Sequence, residues 1–170
     1  MERRTCIRTG LLTALAFASS APIEATADDN ALIGTWRLKS FVRETADTGE
    51  RYDQLGDHAD GYISYASDGR MYVMLVSGDR PRPSGVPTDD ERVALHKSML
   101  AYGGPFRVEG NKVTHHLDIA WDNTRLGTDQ VRFFAIQGNT LTLRTERNKS
   151  PVDGREGVGI LVFERVGPIR

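Results

Sequence analysis

The chain has 170 residues and a formal net charge of −1 at neutral pH. This length is typical of one domain whose core needs no covalent staple. The balanced charge gives no electrostatic reason to expect a nucleic acid partner, and a single cysteine excludes an intrachain disulfide framework.

The first residues have the three parts of a secretory signal peptide. Three arginines in the first eight residues precede a short apolar run at 10–19, and a small-residue cleavage site ends at Ala27. The run is too short for a transmembrane segment, which needs roughly 20 apolar residues. We therefore predict a signal peptide at 1–27, a domain at 28–170 and a periplasmic or secreted protein. A general (Sec-type) signal is expected, and adjacent Arg3 and Arg4 leave the twin-arginine route open. An N-terminal anchor or a disordered tail is the alternative.

The segment after the predicted signal has short runs of alternating apolar and polar residues, which indicate antiparallel strands. In the first run, 34–44, alternation predicts one buried face with Trp36, Leu38 and Val42. The other face, which includes Arg43, is expected to meet water.

A proline-rich loop at 78–87 leads to a predicted helix. Thr88 and Glu91 form a capping box at its start. The helix is expected to continue to about Tyr102, where a Gly-Gly-Pro sequence ends it. Its apolar stripe would consist of Leu95, Met99 and Tyr102.

The remaining strands follow one another through short loops that contain glycine. With the first run they make eight strands, at 34–44, 61–66, 70–77, 106–109, 112–120, 131–137, 140–147 and 157–166. We predict an all-β fold, an eight-stranded antiparallel up-and-down barrel with one inserted helix, because closure leaves no exposed strand edge. A sandwich of two sheets is the alternative.

Short turns also fix which side chains share a face. In the hairpin 106–120, Phe106 pairs with His115 on the apolar face, so His115 is expected to point inward. The same parity places Tyr65 on the inner face of the hairpin 61–77 and Arg132 on the inner face of the hairpin 131–147. The inward set of the hairpin 106–120 is Phe106, Val108, Val113, His115, Leu117 and Ile119, extended by Trp121.

An apolar interior with a few inward polar groups is typical of a small-molecule site. Tyr65, His115, Arg132 and Trp121 are therefore candidate ligand-binding residues. An unpaired buried Arg132 is costly, so it calls for an anion such as a ligand carboxylate or phenolate. The alternatives are an arginine that reaches water, a core histidine and a packing tyrosine.

Several blocks of the chain, in order, carry a family resemblance. The blocks are 32–38, 61–65 with 68–71, 113–116, 141–143 and 162–165. They resemble the bacterial and fungal lipocalin-like domain family, related to the calycin barrels, over roughly 32–166. The resemblance implies a barrel with a pocket, in which Trp36 of a Gly-x-Trp motif packs at the closed end under Arg165. It does not imply one activity, and the insertion at 78–102 departs from the simple plan.

Two functions remain open. No phosphate loop, dinucleotide motif or nucleophile elbow is present, and adjacent His115 and His116 face opposite sides, so no cofactor or metal is predicted. The first hypothesis is an exported protein that binds a small apolar or aromatic, acidic ligand. The alternative is a cofactor-independent isomerase, cyclase or lyase with His115 as its acid–base. The lack of an inward carboxylate to orient the imidazole favours binding. The oligomeric state is not indicated.

Overall fold

The structure, a computed structural model, describes residues 30–167, so the predicted signal peptide at 1–27 lies outside the described residues. The strands are β1 (Gly34–Thr45), β2 (Arg51–Asp53), β3 (Asp60–Tyr65), β4 (Arg70–Val76), β5 (Met99–Glu109), β6 (Lys112–His116), β7 (Ile119–Ala120), β8 (Asp129–Gln137), β9 (Thr140–Thr145), β10 (Asn148–Lys149) and β11 (Glu156–Arg165). An α-helix, α1 (Asp89–Lys97), precedes β5, and a 3₁₀-helix (Asn123–Arg125) precedes β8.

The eight long strands form one closed barrel. They pair in the order β1, β3, β4, β5, β6, β8, β9 and β11, and β11 returns to pair with β1. Each of these pairings is antiparallel. The short strands β2, β7 and β10 lie beside β1, β5 and β11. The predicted up-and-down barrel with one inserted helix is confirmed, and the pairing of β11 with β1 excludes two separate sheets.

The hairpin registers predicted from the turns are confirmed. The observed pairs include Phe106 with His115, Phe134 with Leu143, Arg132 with Thr145, and Tyr65 with Met71. The parity that follows from these pairs points Tyr65, His115 and Arg132 into the barrel, where all three are buried.

The predicted strand 112–120 is interrupted, and this changes the direction of Ile119. β6 ends at His116, and the amide of Asp118 donates to the carbonyl of Gly103 across 3.1 Å. The strand resumes with Ile119 opposite Gly103 on the outer face. The expectation of an inward Ile119 is wrong, since this side chain is 59% exposed, while Leu117 is buried as expected. The interruption shifts the alternation by one residue.

Helix α1 has the predicted capping box at Thr88 but ends at Lys97 rather than near Tyr102. It has no buried residue, so the expected apolar stripe is wrong. Residues 99–105 instead pair along β4, and Tyr102 belongs to β5. Gly104, expected to end the helix, lies inside this strand at φ +154°, where a Cβ would collide with the carbonyl of His116.

Strand β1 contains a bulge that exchanges its faces. Its pairing with β11 slips between Leu38 and Ser40, which leaves Lys39 as an extra residue. The buried side chains after the bulge are Phe41, Arg43 and Thr45. The expectation that Arg43 meets water is therefore wrong, and Val42 lies on the opposite face.

The closed end of the barrel is built around Trp36, which is fully buried. The guanidinium of Arg165 lies over its ring at 3.9 Å from the centroid. Arg165 also donates to the carbonyls of Ile33 and Ala31 across 2.8 and 2.7 Å, while the indole nitrogen donates to Leu32 across 2.9 Å. This is the stack that the resemblance implies, and it fixes the chain that enters β1.

Candidate functional site

The barrel encloses a cavity of about 290 Å³, a volume near the lower end of small-molecule sites. Half of the lining residues have aliphatic or aromatic side chains, and all of these except Trp121 lie in strands. These are Phe41, Ile63, Val73, Leu75, Leu100, Tyr102, Trp121, Leu143, Leu161 and Phe163. Such a wall favours a ligand with an apolar body.

The polar part of the wall combines uncharged side chains, from Thr124, Thr128, Gln130, Thr145 and Asn148, with four cations. Arg43, Arg125, Arg132 and Lys149 line it, and within residues 30–167 no Asp or Glu side chain does. Arg43 lies on β1 seven residues after Trp36, about 20 Å along the strand, so this charge is remote from the closed end. The cavity therefore joins an apolar interior to a positively charged end.

Arg132 is the cation that sequence parity predicted. It is 9% exposed and lies on β8 opposite Thr145. Its Nη1 donates to the carbonyl of the preceding Val131 across 2.7 Å. In the described part of the chain it forms no ion pair, although burying a charge normally requires one.

Arg43 is held by main-chain carbonyls near β10. It is 2% exposed, and its Nη2 donates to the carbonyl of Asn148 and, across 3.2 and 3.1 Å, to the carbonyls of Arg155 and Gly157. The Nε of Arg43 is buried without a hydrogen-bond partner among the described residues. Burial lowers the pKa of this guanidinium from its ordinary value.

Arg125 comes from the 3₁₀-helix before β8. It donates to Gln130 Oε1 across 2.7 Å, and its guanidinium lies 5.7 Å from the ring centroid of Trp121. Burial lowers its pKa too, and its Nε is buried without a partner in the part of the chain described. Two of the cations that line the cavity thus keep a free donor away from bulk water.

Behind the cavity wall, His115 joins two tyrosines. Its Nε2 lies 2.9 Å from the hydroxyl of Tyr65, and its Nδ1 lies 3.5 Å from the hydroxyl of Tyr102. Burial, with a smaller effect of the Arg132 charge, holds the pKa of His115 well below its ordinary value. Burial likewise raises the pKa of Tyr65 well above its ordinary value. The imidazole and the Tyr65 phenol are therefore both neutral.

A model of the lipocalin-like domain family matches residues 33–166. The chain belongs to this family. No curated protein matches the lipocalin-like chain significantly. Among solved structures it is similar to fatty-acid-binding protein 1 of Echinococcus granulosus, with 15% sequence identity and a TM-score of 0.39. That similarity covers 81% of this chain and 99% of the other.

The lipocalin-like barrel separates the four predicted site residues into two groups. Arg132 and Trp121 line the cavity, whereas Tyr65 and His115 are inward but lie outside its lining. Tyr102 lines the cavity and contacts His115. The role of all four residues toward a ligand stays a prediction.

Three functional candidates were not found from the sequence. Arg43 is hidden by the bulge in β1, and Tyr102 by the assignment of its segment to the helix. Arg125 lies in an irregular connection where strand parity does not apply. The Asp122 cap of the 3₁₀-helix is a local signal that could have placed Arg125 beside Trp121.

No helix within residues 30–167 is long and apolar enough to cross a membrane. The same residues contain no group of three or more His, Cys, Asp or Glu side chains placed to hold a metal ion.

Proposed function

We propose that this lipocalin-like barrel binds a small ligand that has an apolar or aromatic body and an acidic group. The observation that carries the proposal is the composition of the cavity wall, which combines buried apolar side chains with four cations and, within residues 30–167, no carboxylate. Opposite charge in a partly desolvated site is worth more than the same charge in water. A carboxylate or phenolate on the ligand supplies the charge that the wall lacks.

Arg132 is the anchor we propose for the acidic group. It is buried, lines the cavity and forms no ion pair in the described chain. A planar guanidinium binds a carboxylate through two parallel hydrogen bonds. Trp121, which Arg125 approaches on one side, is proposed to contact the apolar body.

We also propose that the protein is exported to the periplasm or secreted. Support comes from the pattern at 1–27, with its arginines, its short apolar run and its small residues before Asp28. The binding domain would then begin at residue 28.

The alternative, acid–base catalysis by His115, has no specific observation in its favour. His115 is fully buried and lies outside the cavity lining, so a ligand meets Tyr102 first. Its depressed pKa keeps the imidazole neutral but makes it a weak base, and a base must also reach the proton that it abstracts.

Isothermal titration calorimetry tests the proposal with matched probes. The probes are 2-naphthoate and decanoate as acids, and 2-methylnaphthalene as a neutral ligand of similar shape to the first. Wild-type protein is expected to bind an acid more tightly than the neutral probe. Arg132→Met should weaken the binding of the acid about 10- to 100-fold, because a hydrogen-bonded charge is lost.

The matched control is Arg144→Met, on the outer face of neighbouring β9. It should leave both affinities within about twofold of wild type, since an outer-face side chain cannot reach the cavity. Equal affinity for acid and neutral probes in wild type, or an equal effect of the two substitutions, contradicts the proposal.

A further inference from the structure

A chain of three hydrogen-bonding side chains runs from the core to the cavity. It starts at the hydroxyl of Tyr65, passes through both nitrogens of His115 and ends at the hydroxyl of Tyr102. Tyr65 and His115 are 1% and 0% exposed, whereas Tyr102 lines the cavity. This hydrogen-bond chain therefore has a buried end at Tyr65 and an end at Tyr102 that a ligand can reach.

The buried Tyr65 end fixes the donor-to-acceptor direction of the hydrogen-bond chain. Within residues 30–167 the Tyr65 hydroxyl has one hydrogen-bond partner, His115 Nε2. A buried O–H that does not donate is costly, and this nitrogen is its acceptor. Tyr65 consequently donates, and His115 Nε2 carries no proton.

The open end then follows from the chemistry of neutral imidazole, which has one N–H and one bare nitrogen. With Nε2 bare, the proton of His115 is on Nδ1. That N–H points toward the oxygen of Tyr102, at the long distance of 3.5 Å. Tyr102 accepts there, so its own O–H is left to donate elsewhere, and Tyr102 is a lining residue of the cavity.

We infer that His115 is held as the Nδ1–H tautomer and that the Tyr102 hydroxyl donates a hydrogen bond to the acidic group of the ligand. The inference rests on the proposed function and deepens it, because it names a neutral contact beside the cations and sets its polarity. The matching ligand atom is a deprotonated acceptor oxygen, as in a carboxylate. An ammonium group, which has only donors, would leave the Tyr102 O–H without an acceptor.

The surrounding charges agree with this polarity. The groups that act on the chain are Arg132, toward Tyr65 and His115, and Arg125, toward Tyr102. Arg132 disfavours a second proton on the imidazole, and both cations favour an anion in the cavity. The hydrogen-bond chain of Tyr65, His115 and Tyr102 therefore stays neutral while the ligand carries the negative charge.

Nuclear magnetic resonance of the full domain tests the tautomer without any ligand. In protein labelled with ¹⁵N-histidine, a long-range ¹H–¹⁵N correlation shows which nitrogen of His115 carries the proton. The signal is assigned by its loss in His115→Gln. We expect a protonated Nδ1 and a bare Nε2. A protonated Nε2 overturns the inference, whatever the protein binds.

Calorimetry with the same probes tests the contact to the ligand. Tyr102→Phe should weaken the binding of 2-naphthoate about tenfold, since one hydrogen bond to a charged group is lost. It should change that of 2-methylnaphthalene by less than about twofold, because this probe has no acceptor. Tyr62→Phe, on the outer face at 46% exposure, is the matched control and should change neither.

The outcomes separate the two ideas. If the acids bind preferentially and Tyr102→Phe leaves them unchanged, the hydroxyl contact is wrong and the proposed function stands. If the acids have no advantage over the neutral probe, the proposed function is wrong, and with it the ligand contact. In that case the tautomer measurement still decides the direction of the hydrogen-bond chain.

Discussion

Arg132 puts binding and stability in opposition at a single residue. The side chain is buried and forms no ion pair within residues 30–167, so the unliganded fold bears the cost of a desolvated charge. A bound acid would remove that cost. Residues that are optimised for a ligand commonly reduce the stability of the protein without it.

Arg132→Met should therefore stabilise the ligand-free protein. We expect the free energy of unfolding to rise by about 1–3 kcal/mol, because an apolar side chain of similar length replaces a desolvated charge. Urea denaturation of protein stripped of ligand measures the change. Arg144→Met should stay within about 0.5 kcal/mol of wild type. A less stable Arg132→Met protein would show that the guanidinium is satisfied without a ligand.

Arg165 has the opposite character, since its contacts are all made within the fold. Arg165→Met loses the stack on Trp36 and two donors to main-chain carbonyls. We expect a loss of about 2–3 kcal/mol in unfolding free energy. Tryptophan fluorescence during urea unfolding checks the loss, with Arg144→Met again as the control. An unchanged midpoint would mean that the stack does not support the closed end.

The sequence identified site residues where strand parity applied and missed them elsewhere. Arg132 was found because it lies four residues from Ile136 in a hairpin with a two-residue turn. Arg43 follows a bulge that leaves no distinct signal in the residue pattern. Tyr102 fits a helical stripe as well as a strand, and only its pairing with Val73 on β4 decides between them.

At the scale of elements, regular hairpins and irregular strands behave differently. The hairpin formed by β8 and β9 has the register that its Gly-Asn turn predicts, because short turns leave no freedom for a slip. The bulge in β1 and the break between β6 and β7 depend on long-range pairing. Both irregularities redirect side chains, and the first brings Arg43 into the cavity.

Single-residue deletions in β1 test this account of the bulge. Deleting Lys39 removes the extra residue and keeps Phe41 and Arg43 inward, so we expect a cost below about 2 kcal/mol. Deleting Val42, in the regular part of the strand, turns Arg43 outward and should cost more than about 3 kcal/mol. Urea midpoints compare the two variants. Equal losses would contradict the assignment of Lys39 as the extra residue.

At the scale of the whole molecule, the barrel separates paired from unpaired charge. Ion pairs such as Arg37–Asp60 and Arg70–Asp118 lie on the outer surface. The cations of the cavity have no such partners in the part of the chain that the structure describes. The net charge of −1 therefore does not reveal that the cavity wall is positively charged and that the outer surface carries charges of both signs.

The buried imidazole makes the stability of the molecule depend on pH. The folded pKa of His115 is lowered, so its neutral form stabilises the fold fully above the unfolded value of about 6.5. As the pH falls below that value, the imidazole is protonated in the unfolded chain but stays neutral in the folded protein. Stability should decrease by up to about 1.4 kcal/mol per pH unit from this residue.

Urea unfolding at pH 8, 6.5 and 5.5 measures the slope in wild type and in His115→Gln. Between pH 6.5 and 5.5 the free energy of unfolding should fall much less in the variant than in wild type. Ordinary carboxyl groups do not contribute here, because their pKa lies below this range. The same slope in both proteins would show that His115 becomes protonated in the folded state.

The central claim is that the cavity holds a small acidic ligand against Arg132, and native mass spectrometry tests it most directly. Wild-type protein and Arg132→Met would be purified in parallel from the organism's own cells and sprayed without denaturation. The account predicts a small molecule on the wild type that is released as an anion, and a reduced amount of it on the variant. A ligand that is neutral or cationic, or that both proteins retain equally, would contradict the account.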